Sequence, residues 1–130
     1  MSKFALFVTA NPFNGQGHLS ALGFARAALR AGHQVDNVFF SSDAVLIAHR
    51  YLEPASDEPN AQRDWANMAS EHGVELLLCS SACQKRGLLD ENAAKAFTTQ
   101  SNIASPFVIA GLGSLVESAL VQDRLIQFPG

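Results

Sequence analysis

The stretch Val74-Glu75-Leu76-Leu77-Leu78-Cys79-Ser80-Ser81 decides the fold, because an apolar run of strand length passes directly into small polar residues. The run is short and follows a glycine, which favours a buried strand over Val74–Leu78. The residues after it predict a short helix over Ser81–Arg86 that ends at Gly87. A strand that turns into a helix in this way is typical of α/β proteins, and it leaves Cys79 at the carboxyl end of the strand.

The same alternation of strand and helix extends outward in both directions. The predicted strands are Phe4–Thr9, Val35–Phe40, Phe107–Ala110 and Arg124–Phe128, and the predicted helices are His18–Ala31, a short helix capped by residues 41–43, Ala61–His72 and Ser114–Gln122. Strands that alternate with helices predict βαβ units. The sequence therefore predicts one α/β domain over residues 1–130, with a mostly parallel sheet and helices on both of its faces.

The composition narrows the class of protein. Charged residues make up only 16% of the 130 residues while apolar residues make up 48%, which predicts a buried subunit interface. The net charge of −3 argues against a nucleic-acid-binding surface, which is usually basic. No apolar run is long enough to cross a bilayer, and no signal-peptide pattern is present, so we expect no membrane contact and a cytoplasmic location.

Two cysteines, Cys79 and Cys83, carry the candidate chemistry. They are too few for a disulfide scaffold, and no His or carboxylate spacing beside them suggests a metal, so we expect neither a metal nor another cofactor. In parallel sheets the chemistry lies beyond the carboxyl ends of the strands, where Cys79 is placed. The start of a helix stabilises a thiolate, the reactive form of cysteine. Cys79 is accordingly either a nucleophile or a small buried residue that closes a strand.

The neighbours of Cys79 also have two interpretations each. Cys83 lies one helical turn further on, where it either forms a disulfide with Cys79 or packs as a buried helix residue. Ser80 and Ser81 either donate hydrogen bonds to the sulfur or only cap the helix. We favour the structural interpretation for all three.

Glycine-rich turns and histidines offer weaker candidates. Asn14-Gly15-Gln16-Gly17 lacks the third glycine of a dinucleotide fingerprint and the lysine of a P-loop, so tight packing explains it better than phosphate binding. Gly111-Leu112-Gly113 is interpreted in the same way, as a turn. The four histidines show no metal-ligand spacing, although His18 and His49 are weak candidates for proton transfer.

The order of these segments resembles the DsrE family over nearly the whole chain. The matching segments are Phe4–Thr9, Gly32-His33, Val38–Phe40, Ala55–Glu58, Trp65, His72–Val74, Cys79, Arg86–Glu91, Ser101-Asn102, Gly111–Glu117, Asp123-Arg124 and Gln127-Phe128. The chain departs from the family at Cys83, where relatives have a small residue other than cysteine, and in the loop Asn11-Pro12-Phe13.

The resemblance implies a flavodoxin-like fold and a sulfurtransferase that carries a persulfide on Cys79. It implies that sulfur arrives from a donor carrier protein and leaves to an acceptor carrier protein, in the 2-thiolation of the tRNA wobble uridine. It further implies assembly with related subunits into a hetero-oligomer, a heterohexamer. Two alternatives stay open, namely a DsrE-type subunit in dissimilatory sulfur oxidation and a non-catalytic assembly subunit.

Overall fold

A computed structural model describes all of residues 1–130, which alternate between strands and helices. The strands are β1 (Lys3–Val8), β2 (Gln34–Phe40), β3 (Glu75–Cys79), β4 (Val108–Ala110) and β5 (Arg124–Phe128). The helices are α1 (Gly17–Arg30), α2 (Ala61–His72), α3 (Ser80–Lys85), α4 (Glu91–Ala96) and α5 (Leu112–Val121), with a 3-10 helix over Ser42–Ala48.

The five strands form one sheet in the order β4-β3-β2-β1-β5, and every pair is parallel. Strands β2, β3 and β4 each lie beside the strand that precedes them in the chain, and then the chain crosses back so that β5 pairs with the free edge of β1. Parallel neighbours need a crossover, which the helices supply. All five carboxyl ends therefore lie at one edge of the sheet.

Helices cover both faces of the sheet, as predicted. On one face α1 and α2 pack on alternate strand residues, with Phe24 of α1 edge-on to Phe4 and Trp65 of α2 edge-on to Phe40. On the other face α5 packs against β1 and β5, and its Ser118 accepts a hydrogen bond from Asn37 of β2. A cluster of 27 buried residues runs through the layers as one core.

Local signals explain where the longer helices begin and end. Asn60 caps α2, since its side chain accepts a hydrogen bond from the backbone of Arg63, and Gly73 ends the helix in the left-handed conformation. At the start of α1, a Cβ on Gly17 would collide with the Cβ of Ala10. Tight packing, the interpretation favoured from the sequence, therefore explains the glycine at position 17.

The element boundaries correct the sequence predictions in two places that affect the site. The segment Gly111-Leu112-Gly113 is not a turn, because α5 begins at Leu112 with Gly111 as its N-cap residue. The helix after β3 begins at Ser80 rather than Ser81, so β3 continues through Cys79. Ser41 occupies the N-cap position of the 3-10 helix but makes no capping hydrogen bond with its side chain.

Candidate functional site

Cys79 is the last residue of β3 and the N-cap residue of α3. Strand β3 lies between β2 and β4, and the register of β3 with β4 puts Cys79 opposite Ala110. Only 8% of the residue's surface is exposed. The sulfur is nevertheless at the carboxyl edge of the sheet, where a parallel fold usually places its chemistry.

Hydrogen bonds hold the pKa of the Cys79 thiol below its ordinary value. Burial raises this pKa, but the Ser81 hydroxyl, the backbone N–H of Ala82, the Ser41 hydroxyl and the backbone N–H of Ser81 together lower it by more. The sulfur and the Ser81 hydroxyl oxygen are 3.3 Å apart. Since α3 has only six residues, these individual donors matter more than a helix dipole. The arrangement favours a thiolate, the nucleophilic form of cysteine.

The structure separates the three auxiliary candidates. Ser81 contacts the thiol, whereas Ser80, at the start of α3, makes no side-chain hydrogen bond to it. Cys83 lies on α3 with none of its surface exposed, and burial, together with the nearby Cys79, raises its pKa to about 12. Cys83 is therefore protonated at neutral pH and packs in the core.

Ser41, predicted only as a helix cap, is also a residue of the site. It follows β2 directly, and β2 pairs with β3 so that Phe40 lies opposite Leu78. The next residues along, Ser41 and Cys79, therefore lie side by side. The register of β2 against β3, rather than any local sequence pattern, brings Ser41 to the thiol.

Arg86 ties the segment that contains Ser41 to α3. Its Nε and Nη2 donate to Asp43 Oδ1 at 3.1 and 3.0 Å, and its Nη1 donates to the backbone oxygen of Ala82 at 3.1 Å. The ion pair thus joins the 3-10 helix and α3, the two elements that supply donors to Cys79.

His18 is placed away from the thiol chemistry. Its Nε2 donates to the backbone oxygen of Ala10 at 2.9 Å, and its Nδ1 accepts from Nε1 of Trp65 at 3.2 Å. Burial lowers its pKa, so the ring is neutral in a network of its own. His18 also lines a cavity of about 430 Å³ between residues 11–19 and 47–62, which Cys79 does not line. His49, the other proton-transfer candidate, accepts a hydrogen bond from the backbone of Tyr51.

No group of three or more His, Cys, Asp or Glu side chains is placed to hold a metal ion. No helix combines the length and the apolar character needed to cross a membrane.

Comparison with known proteins identifies the family. The model of the DsrE/DsrF-like family matches residues 2–128. A protein from Serratia proteamaculans named Sulfurtransferase TusD is 41% identical over 129 residues, covering 98% of this chain and all of the relative. Proteins of the same name from Enterobacter sp. and Erwinia tasmaniensis are 40% and 42% identical over 127 residues, each covering 97% of this chain and 99% of the relative.

A solved structure agrees at the level of the fold. The crystal structure of the ychN protein from E. coli superimposes with a TM-score of 0.77 at 22% identity, covering 98% of this chain and all of the other. Both the matched family and the relatives extend over nearly the whole sequence. The chain therefore belongs to the DsrE/DsrF-like family.

Proposed function

We propose that the chain is a sulfurtransferase in which Cys79 accepts sulfur as a persulfide and passes it to a cysteine of an acceptor protein. The names of the relatives support the sulfurtransferase activity. The observation that carries the residue assignment is the set of four donors around one thiol at the carboxyl edge of the sheet. The same donors suit the anionic outer sulfur of a persulfide.

The transfer consists of two balanced nucleophilic steps. The Cys79 thiolate attacks the outer sulfur of a donor persulfide, so a new S–S bond forms while the donor's S–S bond breaks and the donor leaves as a thiolate. An acceptor thiolate then attacks the outer sulfur held on Cys79, and the Cys79 thiolate is regenerated. No net oxidation occurs, and neither step needs a cofactor.

Cys83 takes no part in this scheme. A thiol with a pKa of about 12 is rarely ionised at neutral pH, so it does not compete for the persulfide on Cys79. The departure from the family at this position is then a packing difference on α3.

The pathway and the partners belong to the same proposal. Since the relatives are named TusD, we assign the relay to the 2-thiolation of the tRNA wobble uridine. Donor and acceptor carrier proteins supply and remove the sulfur, and related subunits join the chain in a hetero-oligomer, a heterohexamer by resemblance. The chain acts in the cytoplasm as one DsrE-like domain and does not itself bind nucleic acid.

Two alternatives make different predictions. A subunit of dissimilatory sulfur oxidation would thiolate a different acceptor, so identifying the protein that takes sulfur from the chain separates the pathways. A non-catalytic assembly subunit would take up no sulfur at all. The hydrogen bonds that lower the pKa of the Cys79 thiol disfavour this second alternative.

Intact-mass measurement tests the assignment to Cys79. After incubation with glutathione persulfide, we expect the wild-type chain and the control Cys83→Ala to gain one sulfur atom, and Cys79→Ser to gain none. Equal sulfur uptake by Cys79→Ser, or none by the wild type, would contradict the proposal.

A further inference from the structure

The outward side of α5 is apolar, which is the reverse of an ordinary surface helix. Leu112, Val116 and Leu120 lie at positions i, i+4 and i+8 on its solvent side, and each exposes more than half of its surface. The buried residue of the helix is Ser118, which faces the sheet. A contiguous exposed apolar stripe of this kind marks an interaction surface.

The apolar surface continues beyond α5 onto the sheet. α5 packs on β1 and β5, away from the edge strand β4. At that edge Leu77 of β3 pairs in register with Val108 of β4, and Val108 is 57% exposed. Together, α5 and this strip form one surface, which we call the α5 face.

A notch of about 190 Å³ lies between α5 and strands β2 and β3, in the middle of the α5 face. Three carboxylates line it, those of Asp36, Glu75 and Glu117, and no Lys, Arg or His does. The notch therefore offers negative charge without a cation to balance it.

Two residues that line the notch each have a buried side-chain oxygen without a partner. Asn37 is 4% exposed, and its Nδ2 donates to Asp36 Oδ2 at 2.9 Å and to Ser118 Oγ at 2.7 Å. The Asp36 carboxylate accepts hydrogen bonds, which fixes the amide so that Asn37 Oδ1 is the atom left without a donor. Gln122 Oε1, which also lines the notch, is likewise buried and unpaired. The two hydrogen bonds from Asn37 hold Asp36 and Ser118 in place on the wall of the notch.

We propose that the α5 face binds another protein whose apolar surface covers Leu112, Val116 and Leu120 and whose Lys or Arg side chain enters the notch. Such a cation pairs with the three carboxylates, which no basic residue of this chain balances within the notch. Charge also selects against a second copy of this chain. A symmetric pair would bring two acidic notches together, and no basic residue of its own lines the notch. Binding at the α5 face selects the partner and does not depend on the chemistry of Cys79.

The experiment uses the tagged full chain, recovered with its partners from cells that contain them. We compare Leu120→Asp and the charge reversal Glu117→Lys with Phe97→Asp, a control whose side chain is 70% exposed beyond the end of α4. We expect recovery of the partner to fall about tenfold or more for the two α5 variants, because Leu120→Asp places an unpaired charge in the apolar contact and Glu117→Lys repels the partner's cation. Recovery with the control stays at the wild-type level.

Hydrogen exchange of the complex locates the contact. We expect slower exchange over residues 112–121 and 75–78 in the complex than in the isolated chain. If the cation is a lysine, carbodiimide should cross-link it to a carboxylate of the notch. If it is an arginine, a structure of the complex should show its side chain in the notch. Protection elsewhere, a homodimer through α5, or a chain recovered alone overturns the proposal. Unchanged circular dichroism shows that the variants fold. Unchanged alkylation of Cys79 shows that the loss of binding does not come from a change at the thiol.

Discussion

At the scale of single residues, the reactivity of Cys79 depends on a few identified donors. Removing the hydroxyl of Ser41 or Ser81 takes away a hydrogen bond that lowers the pKa of the thiol. We therefore expect Ser41→Ala and Ser81→Ala each to raise this pKa, so that the rate of alkylation by iodoacetamide rises at a higher pH than in the wild type.

Ser80→Ala is the matched control for that experiment, since Ser80 makes no side-chain hydrogen bond to the thiol. All variants are made in a Cys83→Ala background, so that only Cys79 reacts. If Ser80→Ala moved the pH profile as far as Ser41→Ala does, the assigned donors would be wrong.

His18 makes folding stability depend on pH. Burial lowers the pKa of His18 in the folded chain below the ordinary value of 6.5, so below pH 6.5 the unfolded chain binds a proton that the folded chain does not. The free energy of unfolding then falls with the pH, by up to about 1.4 kcal/mol per pH unit. Urea unfolding at a series of pH values measures this slope. His18→Gln should flatten it, and an unchanged slope in that variant would exclude His18 as its source.

Sequence patterns predicted part of this chemistry. Cys79 was placed correctly because a leucine run ends at it, and Cys83 was correctly favoured as a core residue. Ser41 was missed as a donor, because a serine that follows a strand usually caps the next helix. Its contact with Cys79 depends on the register of β2 against β3, which no local pattern encodes.

At the scale of elements, two glycines of α1 predict opposite effects of the same substitution. A Cβ on Gly17 would collide with Ala10, while a Cβ on Gly23 would meet nothing within 4 Å. We expect Gly17→Ala to lower the free energy of unfolding by about 1–3 kcal/mol through overpacking. Gly23→Ala should raise it by about 0.5–1 kcal/mol, since alanine favours a helix. Urea denaturation measures both, and a destabilised Gly23→Ala together with a neutral Gly17→Ala would contradict this packing.

Elements were predicted well where their signals are local. Gly73 and Gly32 end their helices with positive φ, as their positions after apolar helical patterns indicated. The prediction was wrong at Gly111-Leu112-Gly113, because two glycines so close together suggest a turn. Gly113 lies instead in the first turn of α5, where an added Cβ would meet no other part of the chain within 4 Å.

At the scale of the whole molecule, one core predicts one unfolding transition. Trp65, the only tryptophan, is completely buried within the 27-residue cluster that joins the helices to the sheet. We expect urea unfolding followed by tryptophan fluorescence and by far-ultraviolet circular dichroism to give superimposable curves. Separate midpoints would mean that residues 1–130 contain more than one folding unit.

The architecture and the family followed from the sequence because both depend on the order of many segments. The parallel sheet, the helices on both faces and the sulfurtransferase family are confirmed. The position of β5 beside β1 was not predicted, since Arg124–Phe128 has the same alternating pattern wherever it pairs. The persulfide on Cys79 stays a prediction.

The pairing of β5 with β1 has a consequence for how the chain reaches its native state. During synthesis β1 is made first, yet its second neighbour, residues 124–128, is made more than a hundred residues later. Until then one edge of β1 is an open template for strands of other nascent chains. Contacts that span such a distance also slow folding. Truncation before residue 124 should therefore yield insoluble protein even though every residue around Cys79 is retained.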